Sequence, residues 1–178
     1  PEIPTTVGVL LLWSSHDIAR VGDCLYSLFE ERLDRGEAVV LMGHGNHTDK
    51  YPEANGRYDR LAEYLQTRSP RFFVGTVDYG SLLFEHVAEQ LAATCPPGCV
   101  INFLPLMSVA GDHAQNDMLG DYDPEEPLEE QSWRVRFSQL GYTIEDSNCH
   151  LKGLGDFASI RQIWIDHLVE AERQQHQH

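Results

Sequence analysis

Histidine and aspartate side chains follow several apolar runs of this sequence, in short segments that also contain glycine. His44 lies in "GHGNH", Asp78 begins "DYG", His113 lies in "AGDHAQND" and His150 lies in "CHLKG". Neutral imidazole binds divalent first-row metals, and imidazole and carboxylate groups both act in proton transfer. These residue types therefore indicate a site for a metal ion or for proton transfer.

The apolar runs before these segments have the length of buried strands. Those that precede His44, Asp78 and His113 are residues 38–42, 71–77 and 99–107. Because such runs alternate with helical patterns, we predict a parallel sheet, whose ligands bind outside the carboxyl ends of the strands. We therefore expect His44, Asp78 and His113 to converge on one edge of the sheet, together with His150 and Lys152.

Two further runs extend the predicted sheet, residues 7–13 as a buried first strand and residues 142–149 as a weaker fifth strand. Helical patterns occupy about residues 15–35, 54–66, 81–93, 133–140 and 157–173. Residues 112–131 are predicted to be irregular. The predicted fold class is α/β, a parallel sheet of four to five strands flanked by helices. We predict one α/β domain over residues 1–173 and a disordered tail over residues 174–178.

The first helical pattern contains signals for both of its ends. Ser15 or Asp17 can cap the first turn, since either side chain can accept a hydrogen bond from a free backbone N–H. Gly36 can end the helix, because glycine adopts the left-handed conformation at little cost. The sequence therefore predicts a first helix from about residue 15 to about residue 35.

The charge balance limits the classes of partner. The chain has 178 residues with 13 basic and 28 acidic side chains, a formal net charge of −15. Nucleic acid needs a basic surface, so this charge argues against such a partner and favours cations. No window reaches the roughly 18 consecutive apolar residues of a membrane helix. We therefore expect no nucleic-acid partner and no membrane association.

The four cysteines, Cys24, Cys95, Cys99 and Cys149, are predicted to be reduced thiols, with a local disulfide as the alternative. "CPPGC" has three residues between its cysteines, rather than the C-x-x-C spacing of zinc and redox motifs. Reduced thiols favour the cytoplasm, with an exported form as the alternative. "GHG" lacks the glycine spacing and the Lys-Ser/Thr pair of a nucleotide-binding phosphate loop, and no G-x-S-x-G nucleophile motif is present.

Longer strings of the sequence resemble a known family. "VVLMGHGNH", "FFVGTVDYGSL", "PLMSVAGDHAQNDMLGD" and "CHLKGLG" occur in this order over most of the chain. They resemble the anaerobic sirohydrochlorin cobaltochelatases, which are class II chelatases. The resemblance implies a chelatase-like fold and the insertion of Co²⁺, as the substrate metal, into sirohydrochlorin on the way to cobalamin. It also implies that neither ATP nor another nucleotide takes part.

Three residues within these strings match positions that act in that family. The resemblance implies that His44 and His113 bind the metal and that Asp78 assists, where the family typically has glutamate. We expect the two histidines also to accept the pyrrole protons that leave as Co²⁺ enters, with Asp78 sharing either task. His47 is either an additional ligand or an exposed loop residue.

The substrate that the resemblance implies carries several carboxylates. A chain with a net charge of −15 repels such a molecule unless local cations compensate. Lys50, Arg57 and Lys152 lie in or beside predicted strand-end loops and are the expected contacts to these carboxylates.

The resemblance is to the carboxyl-terminal half of a two-domain enzyme, which holds its substrate between two similar α/β halves. It implies that this chain forms a homodimer or associates with an amino-terminal half. Two alternatives stay open. One is the insertion of Fe²⁺ or Ni²⁺, since imidazole and carboxylate ligands discriminate weakly among these ions. The other is a non-catalytic protein that binds the tetrapyrrole or the metal.

Overall fold

Three parallel strands form a sheet in the part of the chain that the structure describes. The computed structural model describes residues 11–12, 14–47, 53–107 and 114–175. The strands are β1 (Ala38–Gly43), β2 (Phe72–Thr76) and β3 (Ile101–Pro105), in the order β2-β1-β3. Every residue of the three strands is buried. Continuous apolar runs of this kind are typical of parallel strands that helices cover on both faces.

Helices do cover both faces of the sheet. The helices are α1 (Ser15–Asp34), α2 (Ala54–Arg68), α3 (Phe84–Thr94), α4 (Trp133–Gln139) and α5 (Ala158–Gln175). Val39 and Leu41 of β1 belong to the core formed with α1, α2 and α5, whereas Val40 and Met42 belong to the core formed with α3 and α4. Successive side chains of a strand point to opposite faces, so β1 contributes to both cores.

The first helix begins at Ser15, as predicted, but its cap is not one of the two predicted residues. Its N-cap is Ser14 rather than Ser15 or Asp17, and the Ser14 hydroxyl accepts a hydrogen bond from the Asp17 backbone N–H at 3.1 Å. The Asp17 carboxylate accepts one in return from the Ser14 N–H at 3.1 Å. Gly36 has a φ of +85° directly after the helix, which confirms the predicted end.

The prediction of four to five strands is wrong for the described residues, because only three strands form there. The predicted fifth strand, residues 142–149, makes only two isolated bridges to the β3 side of the sheet, at Thr143 and Cys149. A turn of 3₁₀ helix at Asp146–Asn148 interrupts it. The Asn148 amide oxygen accepts a hydrogen bond from the Glu145 N–H at 3.0 Å and stabilises this turn instead of a ladder.

The predicted first strand, residues 7–13, lies almost entirely outside the described residues. Leu11 and Leu12, which are described, form part of a turn and pack against the α1–α2–α5 core. At the other end of the chain, α5 extends to Gln175, two residues past the predicted domain boundary. None of the described helices is both long and apolar enough to cross a membrane.

Candidate functional site

Two of the predicted site residues meet at the carboxyl end of the sheet. β1 and β2 are parallel neighbours, and their last residues, Gly43 and Thr76, are register partners. The pairing continues past the strands, because the Asp78 N–H donates to the His44 carbonyl at 3.1 Å. The side chains of the two residues then meet, with His44 Nε2 at 3.0 Å from Asp78 Oδ2. Asp78 therefore reaches the imidazole although it is one methylene shorter than glutamate.

Both ring nitrogens of His44 face oxygen atoms. Nδ1 lies 3.2 Å from the Gly45 carbonyl oxygen, and Nε2 faces the Asp78 carboxylate. A neutral imidazole carries only one N–H, so it can donate to only one of these oxygens. A proton or a metal cation at Nε2 satisfies both the ring nitrogen and the carboxylate. The His44 and Asp78 side chains are 36% and 48% exposed, so an ion from solvent can reach them.

Close backbone packing holds the His44 segment against the Asp78 segment. Gly45 has a φ of +85°, and a Cβ at this position would lie 2.6 Å from the Tyr79 carbonyl oxygen. Only glycine fits this combination of conformation and contact. The Tyr79 ring lies beside both histidines of the segment, with its centroid 6.2 Å from that of His44 and 5.3 Å from that of His47.

Residues in the first turns of α2 contact the same segment. The Tyr58 ring packs against Gly43, where a Cβ would lie 2.5 Å from Tyr58 Cε1, and burial raises the pKa of this phenol. Asn55 exchanges two hydrogen bonds with the backbone of Asn46. Asn55, Tyr58 and Tyr79 were not among the predicted site residues. The position of Tyr79 beside Asp78 could have indicated that it lies near the site. A helical pattern contains no signal that a side chain such as Asn55 forms hydrogen bonds with the preceding loop.

The third predicted metal ligand, His113, lies outside the described residues, as does Lys50. β3 lies on the side of β1 opposite β2 and ends at Pro105, the register partner of Met42. The chain that leads to His113 therefore departs from the same edge of the sheet as His44 and Asp78. The role of His113 stays a prediction.

The remaining basic candidates lie on separate elements. Arg57 is in the first turn of α2 and is half-buried. Lys152 is exposed in the segment that runs beside β3, where its N–H donates to the His150 carbonyl at 2.8 Å. Their contact with carboxylates of a substrate stays a prediction.

His150 was expected at the strand-end edge with His44, and the structure corrects this. Its imidazole packs edge-on against Phe29 of α1, with ring centroids 5.3 Å apart. Its Nε2 is buried and has no hydrogen-bond partner among the described residues. Burial, and then the charges of Arg32 and Lys152, lower the pKa of His150. The ring therefore faces the core between the sheet and α1.

The thiols do not contribute to this site. All four cysteines are free, as predicted. Burial and the neighbouring Cys95 raise the pKa of Cys99 to about 11. Burial also raises the pKa of Cys149. Neither Cys99 nor Cys149 is therefore activated as a thiolate nucleophile.

Among the described residues, no three His, Cys, Asp or Glu side chains lie close enough together to hold a metal ion. His47 does not complete a set of three with His44 and Asp78, although its ring lies near Tyr79. The pair therefore supplies two ligand groups, a nitrogen and a carboxylate. Further ligands to a bound ion must come from elsewhere in the chain, from a partner, from solvent or from a substrate.

Comparison with known proteins gives a family match and two named relatives. The family described as "Cobalt chelatase (CbiK)" matches residues 6–173. The chain is 33% identical over 166 residues to "Sirohydrochlorin cobaltochelatase CbiKC" of Nitratidesulfovibrio vulgaris. The aligned region covers 93% of this chain and 53% of that protein. It is 31% identical over 168 residues to "Sirohydrochlorin cobaltochelatase" of Salmonella typhimurium, covering 93% of this chain and 56% of that protein. The chain thus spans about half the length of these relatives.

Proposed function

This chain belongs to the cobalt chelatase (CbiK) family, and we propose that it takes part in the insertion of Co²⁺ into sirohydrochlorin, without ATP or another nucleotide. The names of the two relatives support the metal and the tetrapyrrole. The observation that carries the proposal is the contact between His44 Nε2 and the Asp78 carboxylate at 3.0 Å, at the edge of the sheet where ligands bind.

We propose that His44 Nε2, the Asp78 carboxylate and His113 hold the incoming ion. The contact of His44 Nδ1 with the Gly45 carbonyl leaves Nε2 to act as the ligand atom, as is usual for metal-binding histidines. Imidazole nitrogen and carboxylate oxygen both suit divalent first-row metals. These ligands do not select Co²⁺ sharply over Fe²⁺ or Ni²⁺, so the cobalt assignment depends on the family and on the names of the relatives.

The proposed reaction exchanges one divalent cation for two pyrrole protons. As Co²⁺ leaves His44 Nε2 for the macrocycle nitrogens, the lone pair on Nε2 becomes available for a proton. The Asp78 carboxylate, 3.0 Å away, then stabilises the imidazolium that forms or takes a proton itself. His113 is proposed to accept the second proton. The exposure of His44 and Asp78 allows these protons to leave to solvent.

Local positive charge is proposed to orient the substrate. The net charge of −15 disfavours the approach of a molecule that carries several carboxylates. Lys50, Arg57 and Lys152 are the proposed contacts, because a few cations near the site can outweigh a diffuse negative field at short range. We propose a second copy of this chain, or a separate amino-terminal half, as the other wall of the site, since the chain spans about half of its relatives.

The first experiment is an anaerobic incubation of the purified chain with sirohydrochlorin and Co²⁺, followed by visible absorption. We expect a catalysed shift to the spectrum of the metallated macrocycle, faster than in a control without protein. Parallel reactions with Fe²⁺ and Ni²⁺ test the choice of metal. Addition of ATP should leave the rate unchanged.

The assay also separates the proposal from its alternative. Binding of sirohydrochlorin with no faster insertion, even after a separate amino-terminal half is added, would identify a tetrapyrrole-binding protein rather than a chelatase. Insertion that begins only when that half is added would support the chelatase proposal and exclude a self-sufficient homodimer. Sedimentation of the active sample then gives the oligomeric state.

A further inference from the structure

The side chain of Asn55 holds the loop that carries His44. Its Oδ1 accepts a hydrogen bond from the Asn46 N–H at 2.8 Å, and its Nδ2 donates to the Asn46 carbonyl at 2.7 Å. Asn55 is only 8% exposed, so water cannot easily replace either bond. An asparagine amide matches the donor and acceptor of a peptide unit, so both polar groups of Asn46 are satisfied by one rigid side chain.

The same side chain also lies against the loop that carries Asp78. Gly80 has a φ of +98°, and a Cβ at this position would lie 3.4 Å from Asn55 Cγ. A second contact joins this loop to α2, where the Ser81 hydroxyl donates to the Asp59 carboxylate at 2.6 Å. Asn55 therefore stands between the loop after β1 and the loop after β2, which carry the two members of the His44–Asp78 pair.

We propose that Asn55 is a positioning residue that sets the distance between His44 Nε2 and the Asp78 carboxylate by fixing the backbone of Asn46. This inference rests on the proposed function, because it assigns Asn55 to the support of the metal-binding pair. Both hydrogen bonds of the Asn55 side chain go to the backbone of Asn46, two residues after His44, so its effect passes through the loop backbone. Side chains of this kind determine how well a ligand nitrogen is oriented.

The test compares two buried asparagines whose side chains each accept one hydrogen bond from a backbone N–H and donate one hydrogen bond. Asn148 is 6% exposed, and its Oδ1 accepts from the Glu145 N–H while its Nδ2 donates to Asn102 at 3.1 Å. Asn102 pairs with Val39 near the start of β1, so Asn148 lies toward the opposite end of the sheet from His44. Asn55→Ala and Asn148→Ala should therefore destabilise the fold similarly, and only Asn55→Ala should disturb the pair.

Two readouts are measured on the full chain labelled with ¹⁵N. Amide hydrogen exchange follows the Asn46 N–H, and imidazole NMR signals report on His44. We expect Asn55→Ala to expose the Asn46 amide to exchange and to shift or broaden the His44 signals, whereas Asn148→Ala leaves both unchanged. Asn55→Asp keeps the acceptor and should retain the protection of the Asn46 amide. An unchanged His44 signal in Asn55→Ala would overturn the proposal.

A third readout is the titration of the same variants with CoCl₂ alone. Loss of a residue that orients a metal ligand typically weakens metal binding about 10-fold to 100-fold, and we expect Asn55→Ala to fall in this range. Equal weakening by Asn148→Ala would overturn the positioning role. Failure of the unaltered chain to bind Co²⁺ would count against the proposed function, and the NMR comparison would still decide whether Asn55 positions His44.

Discussion

Two histidine–aspartate pairs in this chain have nearly equal separations but different surroundings. His44 Nε2 lies 3.0 Å from Asp78, and His167 Nε2 lies 2.8 Å from Asp17. The side chains of the first pair are 36% and 48% exposed, whereas those of the second are 11% and 7% exposed. Distance alone therefore does not distinguish a ligand site from a structural contact. The burial of the two side chains and the other hydrogen bonds of the carboxylate distinguish the two.

Both oxygens of the Asp17 carboxylate already have hydrogen-bond partners within the fold. The carboxylate accepts hydrogen bonds from both the N–H and the hydroxyl of Ser14, at 3.1 and 2.8 Å, as part of the cap of α1. Its second oxygen faces His167, which lies on α5. The pair thus joins the start of α1 to α5 and leaves little access for a ligand. Asp78 and His44, in contrast, lie on two strand-end loops that face solvent.

The largest effect should come from His44→Ala. We expect the rate of Co²⁺ insertion to fall about 100-fold or more, because both the ligand nitrogen and the proton acceptor are removed. The same loss is expected for His113→Ala. The urea concentration at the midpoint of unfolding should change little, since the His44 side chain is partly exposed. His86→Ala, which removes an exposed imidazole from α3, is the matched control and should keep full activity. Normal insertion by His44→Ala would remove this residue from the mechanism.

A change in the buried pair should lower the stability of the fold and leave Co²⁺ binding unchanged. We expect His167→Ala to lower the free energy of unfolding by about 3 kcal/mol, because it leaves the Asp17 carboxylate buried without its imidazole partner. Co²⁺ binding by the folded fraction should be unchanged. Urea unfolding followed by tryptophan fluorescence measures the stability, with Glu172→Ala on the exposed face of α5 as the control. If His167→Ala instead weakened Co²⁺ binding at normal stability, the contrast between the two pairs would be wrong.

A smaller effect is expected from Asp78→Asn. This change keeps the size and one oxygen of the side chain but removes its charge, so the affinity for Co²⁺ should fall about 10-fold. Asp78→Glu restores the charge with one more methylene and should recover most of the affinity. Calorimetric titration with CoCl₂ measures both variants. An Asp78→Asn variant that binds Co²⁺ as tightly as the unaltered chain would show that the carboxylate does not contact the ion.

The smallest effect concerns the pH dependence of stability. Burial alone raises the pKa of Asp17, but hydrogen bonds from His167 and Ser14 outweigh it, and the net pKa is lowered. A carboxylate with a lowered pKa in the folded state stabilises the fold above its ordinary pKa of about 4 and loses this contribution as the pH falls further. Stability should therefore decrease below about pH 4 more steeply in the unaltered chain than in Asp17→Asn. Parallel pH profiles of urea unfolding would contradict this.

The meeting of the His44 and Asp78 loops could be predicted because it depends on which residues follow each apolar run in the sequence. Apolar runs before His44 and Asp78 predict parallel strands, and parallel strands bring their carboxyl ends to one edge. The two side chains meet there in the structure. The predicted end of α1 at Gly36 also holds, since it depends on a local backbone conformation. The position of His113 stays a prediction, because it lies outside the described residues.

Where a sequence-based prediction was wrong, a side-chain contact decided between local alternatives. Residues 142–149 had the composition of a strand, but the hydrogen bond that the Glu145 N–H donates to Asn148 Oδ1 favours a turn. The His150 ring, expected at the strand-end edge, instead contacts Phe29. The support of the His44 loop by Asn55 also had no signal in the sequence, since it joins a helix to a loop nine residues earlier in the chain.

The sequence by itself determined the family, the order of the central elements and the presence of imidazole and carboxylate at strand ends. These depend on residue types at fixed spacing along the chain. Only the tertiary structure decided which histidine–aspartate pair is open to a ligand. The pair of Asp17 and His167 spans 150 residues, and its burial results from the packing of α5 on α1. Burial is a property of all the surrounding elements together, so the exposure of each pair had no local signal in the sequence.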